Sequence, residues 1–198
     1  NGEPVVTDVI PLEGDEKELL SRAAGLEHFS EHPLAQAIVN KARERGVSLA
    51  EVSGFEALAG AGAKGLAQGQ AWYVGSPRLF EDLGADPSAV QDQITQLQEQ
   101  GKTVVLAGSA TRIHGLLAIQ DRVRAEARAT IAALHALGLR TVMLTGDNLR
   151  TAQAFARMLA IDDVRAELKP EDKVRAVGQL EREYGAVLMV GDGVNDAP

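Results

Sequence analysis

Three short runs in the second half of the chain carry the residue types that handle a phosphoryl group. In Gly191-Asp192-Gly193-Val194-Asn195-Asp196, two carboxylates and an amide share one turn after an apolar stretch. Hard oxygen ligands on a tight loop suit Mg²⁺, which takes one or two carboxylates and keeps waters for phosphate oxygens. Glycines there let the backbone turn sharply and approach a ligand. A strand-to-helix turn with an Asp cap is the plainer reading of a lone Gly-Asp-Gly. In Thr145-Gly146-Asp147-Asn148, a hydroxyl and a backbone N–H at a helix start could hold a phosphoryl oxygen. Asp147 could equally serve only as the N-cap of a helix beginning near Leu149. Lys169-Pro170-Glu171-Asp172-Lys173 adds cations, and Lys173 could either neutralise a phosphoryl group or stay solvated.

The first half carries a different pattern. Gly60-Ala61-Gly62-Ala63-Lys64-Gly65 satisfies Gly-x-Gly-x-x-Gly, but a strand-like run follows it where a dinucleotide fingerprint requires a helix. What remains is a loop where a ligand could lie against the backbone, or a plain glycine turn. Ser30-Glu31-His32-Pro33-Leu34 stands at a helix start, with Glu27 five residues before His32. Trp72 and Tyr73 look like sheet-packing residues, and His28, His114 and His135 show no metal-site spacing.

The elements that must position these residues divide the chain in two. Helical spacing covers Asp15 to Phe29 and Pro33 to Arg45, the latter with proline at its first position. Strand-like runs follow at Gly65 to Val74, Thr103 to Ala107 and Ile113 to Ile119, with a helix over Ser88 to Gln100 ended by Gly101. Grouped strands with few helices between them predict an antiparallel sheet with helices packed on it, an α+β domain over 1–119. Over 120–198 the pattern alternates. Helices at Arg122 to Leu137, Leu149 to Leu159 and Pro170 to Tyr184 separate strands at Arg140 to Leu144, Val164 to Ala166 and, as a buried strand, Ala186 to Val190. Such alternation predicts a doubly wound parallel α/β sheet, where ligands sit beyond the carboxyl ends of the strands.

Composition narrows the classes. Of 198 residues, 45% are hydrophobic and 24% charged, as in an ordinary globular protein. A net charge of -8 argues against a nucleic-acid surface. With no cysteine there is neither a disulfide framework nor a thiolate metal site. No apolar run reaches the roughly 20 residues of a membrane span, and no signal peptide opens the chain.

Taken in order, Thr145–Asp147, Pro170–Lys173 and Gly191–Asp196 resemble the Thr-Gly-Asp, Pro-x-x-Lys and Gly-Asp-Gly-x-Asn-Asp runs of the haloacid-dehalogenase-like phosphorylation domain of P-type ATPases. The resemblance implies that Thr145 and Lys173 contact the phosphoryl group, with Gly146 and Asp147 in the same loop. It implies Mg²⁺ on Asp192, with Asn195 and Asp196 completing the site. The Ser-Glu-His-Pro-Leu run before a glycine loop resembles the nucleotide-binding domain of the heavy-metal branch. That implies ATP, with His32 and Glu27 holding adenine and Gly60, Gly62 and Gly65 forming the glycine loop. The family's Asp-Lys-Thr-Gly-Thr nucleophile run does not occur here. It is expected just upstream of Asn1, leaving this chain inactive alone. The resemblance further implies transmembrane and actuator domains as partners, a heavy-metal ion bound elsewhere, and a place on the cytoplasmic side of a membrane. The Leu117–Asp121 segment leans towards zinc, cadmium or lead rather than copper. A soluble haloacid-dehalogenase-like phosphatase with the first half as its cap stays open as the alternative.

Overall fold

The computed structural model describes residues 4–121 and 125–191. The chain divides into two compact units, residues 2–98 with 102–122, and 99–101 with 123–198.

The first unit is a six-stranded antiparallel sheet with helices on both faces. Its strands are β1 (Pro4–Pro11), β2 (Val52–Leu58), β3 (Gly62–Ala67), β4 (Gln70–Gly75), β5 (Thr103–Ser109) and β6 (Arg112–Asp121), in the order β1-β6-β5-β4-β3-β2. All five pairings are antiparallel. Alternation along β5 and β6 builds two cores. Val105, Ala107, Leu117 and Ile119 face α1 (Glu16–Glu27) and α2 (Pro33–Glu44), whose Leu20, Leu26 and Ile38 are fully buried. Val104, Leu106, Leu116 and Ala118 face α3 (Pro77–Leu83) and α4 (Gln91–Glu99), through Phe80 and Ile94.

The second unit contains α5 (Ala125–Ala136), β7 (Val142–Leu144), α6 (Leu149–Leu159), β8 (Asp163–Arg165) and α7 (Pro170–Tyr184), with β7 and β8 paired in parallel. The mixed fold class expected from the pattern is the one observed.

Three details differ from the sequence reading. The run Gly65 to Val74 is not one strand but the hairpin β3–β4, turned at Gln68 and Gly69, both with positive φ, 53° and 77°. The helix expected from Ser88 opens as a 3-10 turn over Ser88–Val90. Ala186 to Val190 is neither strand nor buried, and Leu188 and Val190 are 88% and 86% exposed. A strand exists only by hydrogen bonding to a neighbour, and among the described residues no strand runs beside this segment.

Candidate functional site

In the first unit, α1 ends and α2 begins beside one opening. Asp15 caps α1 by accepting from the Glu18 N–H at 2.8 Å, and the helix closes at Glu27. Pro33 fixes the first turn of α2, and His32 is its N-cap. The His32 Nδ1 accepts from the Leu34 N–H at 3.2 Å, while the His32 N–H donates to Ser30 Oγ at 3.3 Å. A ring nitrogen that accepts carries no hydrogen, so this bond assigns the imidazole hydrogen to Nε2.

Glu27 and His32 line a cleft of about 300 Å³ together with Gly60 and Gly62. Leu34, Ile38, Leu58 and Val105 supply apolar wall, and Ser76 polar edge. Glu27 is only 8% exposed, and burial pushes its carboxyl up to about 7.

The three glycines differ in what they do. Gly60 has φ +69°, and a Cβ there would meet nothing within 4 Å, so open space lies over the backbone. A Cβ on Gly62 would lie 2.2 Å from the Val74 carbonyl oxygen, so this glycine is first a requirement of the β3–β4 hairpin. Gly65 does not line the cleft. It is buried in β3, where a Cβ would meet Leu26 Cδ1 at 2.9 Å and Val52 Cγ1 at 2.7 Å, so its absence of side chain lets α1 pack on the sheet.

In the second unit, Thr145 to Asp147 follow the carboxyl end of β7. The Thr145 N–H donates to the Arg165 carbonyl at 3.0 Å, and its own carbonyl accepts from the Leu168 N–H at 3.0 Å. The Asp147 carbonyl accepts from the Glu167 N–H at 2.9 Å. These bonds tie the Thr-Gly-Asp loop to the turn that leads into α7. Thr145 Oγ1 donates to Asp147 Oδ2 at 2.8 Å and accepts from the Asp147 N–H at 3.1 Å. The cap of α6 is Asn148, whose Oδ1 accepts from the Thr151 N–H at 3.0 Å, so Asp147 is not the cap. Lys173 lies in the first turns of α7, after Pro170 and after Asp172, whose carboxylate accepts from the Lys169 N–H at 3.0 Å. Asp192, Asn195 and Asp196 lie outside the described residues.

The cleft residues that sequence reading missed are its walls. Thr103 to Val105 read in sequence as ordinary strand, and Gly75-Ser76 carried no assignment. A Ser before a Pro at a helix start marks α3, and the Ser76 hydroxyl does accept from the Leu79 N–H at 3.3 Å. Nothing in that signal says that the cap borders a cleft.

The family model for haloacid dehalogenase-like hydrolase matches residues 1–198. A copper-transporting P-type ATPase of Rhizobium leguminosarum bv. viciae is 46% identical over 198 residues, which are 100% of this chain and 24% of that protein. A probable cadmium-transporting ATPase of Alkalihalophilus pseudofirmus is 43% identical over 204 residues, 100% of this chain and 28% of that protein. The chain thus spans about a quarter of the length of these relatives. The crystal structure of a zinc-transporting PIB-type ATPase in its E2.Pi state superposes with TM-score 0.67 at 38% identity, covering 98% of this chain and 31% of that one. A full-length family match and close relatives of one kind leave a single assignment: the chain belongs to the haloacid dehalogenase-like hydrolases, in the branch of the heavy-metal P-type ATPases.

Proposed function

We propose that the first unit binds ATP and that the second handles its γ-phosphoryl group, as the energy-coupling part of a heavy-metal-exporting P-type ATPase. The observation that carries this reading is the cleft. Residues from two separate segments, Glu27 with His32 and Gly60 with Gly62, line one recess with apolar walls suited to a flat base. The donor on His32 and the carboxyl of Glu27 match the acceptor and amino groups of adenine.

In the second unit, Thr145 and the adjoining backbone would hold a phosphoryl oxygen, and Lys173 would offset its charge. Phosphoryl transfer rests chiefly on such positioning and neutralisation. The γ-phosphoryl would pass to an aspartate carboxylate of the whole protein, releasing ADP, and water would later cleave the acyl phosphate. Mg²⁺, held on the resemblance by Asp192 and Asp196 with Asn195, would supply further neutralisation of phosphate charge. With no Asp-Lys-Thr-Gly-Thr run, the chain by itself is expected to bind ATP without turning it over.

Among the described residues no helix is long and apolar enough to cross a membrane. On the family resemblance, ion binding would lie in transmembrane partners, alongside an actuator domain, with this part on the cytoplasmic side. Zinc, cadmium or lead is preferred on the Leu117–Asp121 segment, although the relatives are named for both copper and cadmium. Zinc- or cadmium-stimulated rather than copper-stimulated ATP hydrolysis by the whole protein would support that preference, and the reverse would remove it.

Calorimetric titration of ATP into this chain and into His32→Asn tests the nucleotide reading. Loss of about tenfold in affinity, about 1.4 kcal/mol, is expected in the variant. If ATP fails to bind, or the variant binds it equally well, the cleft is not the adenine site.

A further inference from the structure

Side chains that hold a ligand bind it better when they are set beforehand, because every rotor that must be fixed on binding lowers affinity. The two polar side chains of the cleft are anchored unequally. Glu27 is buried at the end of α1, a helix packed on the sheet through Leu20 and Leu26. His32 lies five residues on, is exposed, and follows a connection, residues 28–31, in which His28, Phe29 and Glu31 are exposed too.

The start of that connection is held by the elements it leaves. The His28 N–H donates to the Ala24 carbonyl at 2.9 Å and the Ser30 N–H to the Glu27 carbonyl at 3.0 Å. The Phe29 ring lies 5.7 Å from the ring of Phe55 on β2. From Ser30 onward side chains take over. The His32 N–H donates to Ser30 Oγ at 3.3 Å, and the Ser30 carbonyl accepts from Gln36 Nε2 at 2.8 Å. Gln36 also donates its own N–H to the His32 carbonyl at 3.1 Å, one turn into α2. A single glutamine thus grips the connection at Ser30 and at His32. Ser30 is the junction: its N–H reaches Glu27, its hydroxyl His32, and its carbonyl Gln36.

Gln36 itself is exposed and is not among the residues that line the cleft. Building on the adenine reading of the cleft, we propose that Gln36 is a positioning residue of the nucleotide site: its side-chain amide fixes the Ser30 carbonyl and, through Ser30, holds His32 in the orientation that meets the base. A carbonyl in so exposed a connection turns to water when it loses this donor, so the fold gives up little. The connection gains freedom that the ligand must then remove, so the loss falls on binding. A glutamine serving only as an exposed helix former would move neither quantity.

Gln36→Met keeps the length and helix propensity of the side chain, adds no charge and has no donor. The test is calorimetric titration of ATP into the unmodified chain, Gln36→Met, His32→Asn and the double variant, with thermal denaturation of each. Gln36→Met should bind ATP about fivefold more weakly and melt within about 2 °C of the unmodified chain. The double variant should bind no more weakly than His32→Asn alone, since the ring on which Gln36 acts is gone. Unchanged affinity in Gln36→Met, beside a loss in His32→Asn, overturns the positioning role and leaves the adenine site standing. Two further results overturn it: a loss of affinity matched by a melting temperature lower by many degrees, and losses that simply add in the double variant. Failure of ATP to bind the unmodified chain, or equal binding by His32→Asn, overturns the adenine reading and this proposal together.

Discussion

Glu27 shows what a binding residue costs the fold that holds it. Its carboxyl titrates near 7 when folded and near 4.5 in an open chain, so the folded state binds more protons between those values. Stability therefore falls as pH rises through that window, and above it the penalty is fully present, on the order of 3 kcal/mol. Glu27→Gln should accordingly raise the melting temperature at about pH 8 and change it little at about pH 4.5. Thermal denaturation of both proteins at the two pH values checks this; an equal effect at both would show that burial of the charge is not what Glu27 contends with. Glu27 and His32 were legible as candidates through the resemblance carried by the Ser-Glu-His-Pro-Leu run and the glycine loop after it. The state of the carboxyl was not legible, since it depends on walls drawn from Leu34, Leu58 and Val105, which are far apart in sequence.

At the scale of elements, His32 has two jobs that a single truncation would confuse. It caps α2 through Nδ1 and lines the cleft. His32→Ala should lose both, costing about 1 kcal/mol of stability from the cap. Asn caps helices well, so His32→Asn should melt near the unmodified chain and still bind ATP weakly. If both variants melt alike, the Nδ1 bond contributes nothing to α2. Gly62 is a poor probe of ligand approach for a related reason. A side chain there collides with the β4 backbone at Val74 and Gly75, so Gly62→Val is expected to unfold the hairpin before any base is felt, seen as lost β-sheet circular dichroism. Helices α2, α6 and α7 stood out in the sequence because proline or a polar residue marks each start and apolar positions recur at helical spacing. β1 did not, because its partner β6 lies over a hundred residues away, with Val6 opposite Ile119. The β3–β4 turn was missed because Gln68, a residue that rarely takes positive φ, occupies a place where Asn is usual.

For the molecule as a whole, the two units carry very different cores. The first buries Leu, Ile, Phe and Trp side chains in two clusters, one on each face of its sheet. Among the described residues of the second, the buried apolar side chains are Ala152, Ala154, Ala156, Ala176 and Leu180. Alanine contributes far less buried apolar area than leucine or phenylalanine, and stabilisation scales with that area. Leu188 and Val190 add exposed rather than buried surface. The second unit is therefore expected to lose its structure at a lower temperature than the first. The sequence supplies a convenient reporter, because Trp72 is the sole tryptophan and lies in the core of the first unit. Its fluorescence should report the upper transition, while circular dichroism should register loss of α5, α6 and α7 earlier. ATP at about a hundred times its dissociation constant adds about 2.7 kcal/mol to whatever folds around it. The tryptophan transition should then move upward by several degrees and the earlier transition should not. A shift confined to the earlier transition would place the nucleotide on the second unit and remove the base from the Glu27–His32 cleft.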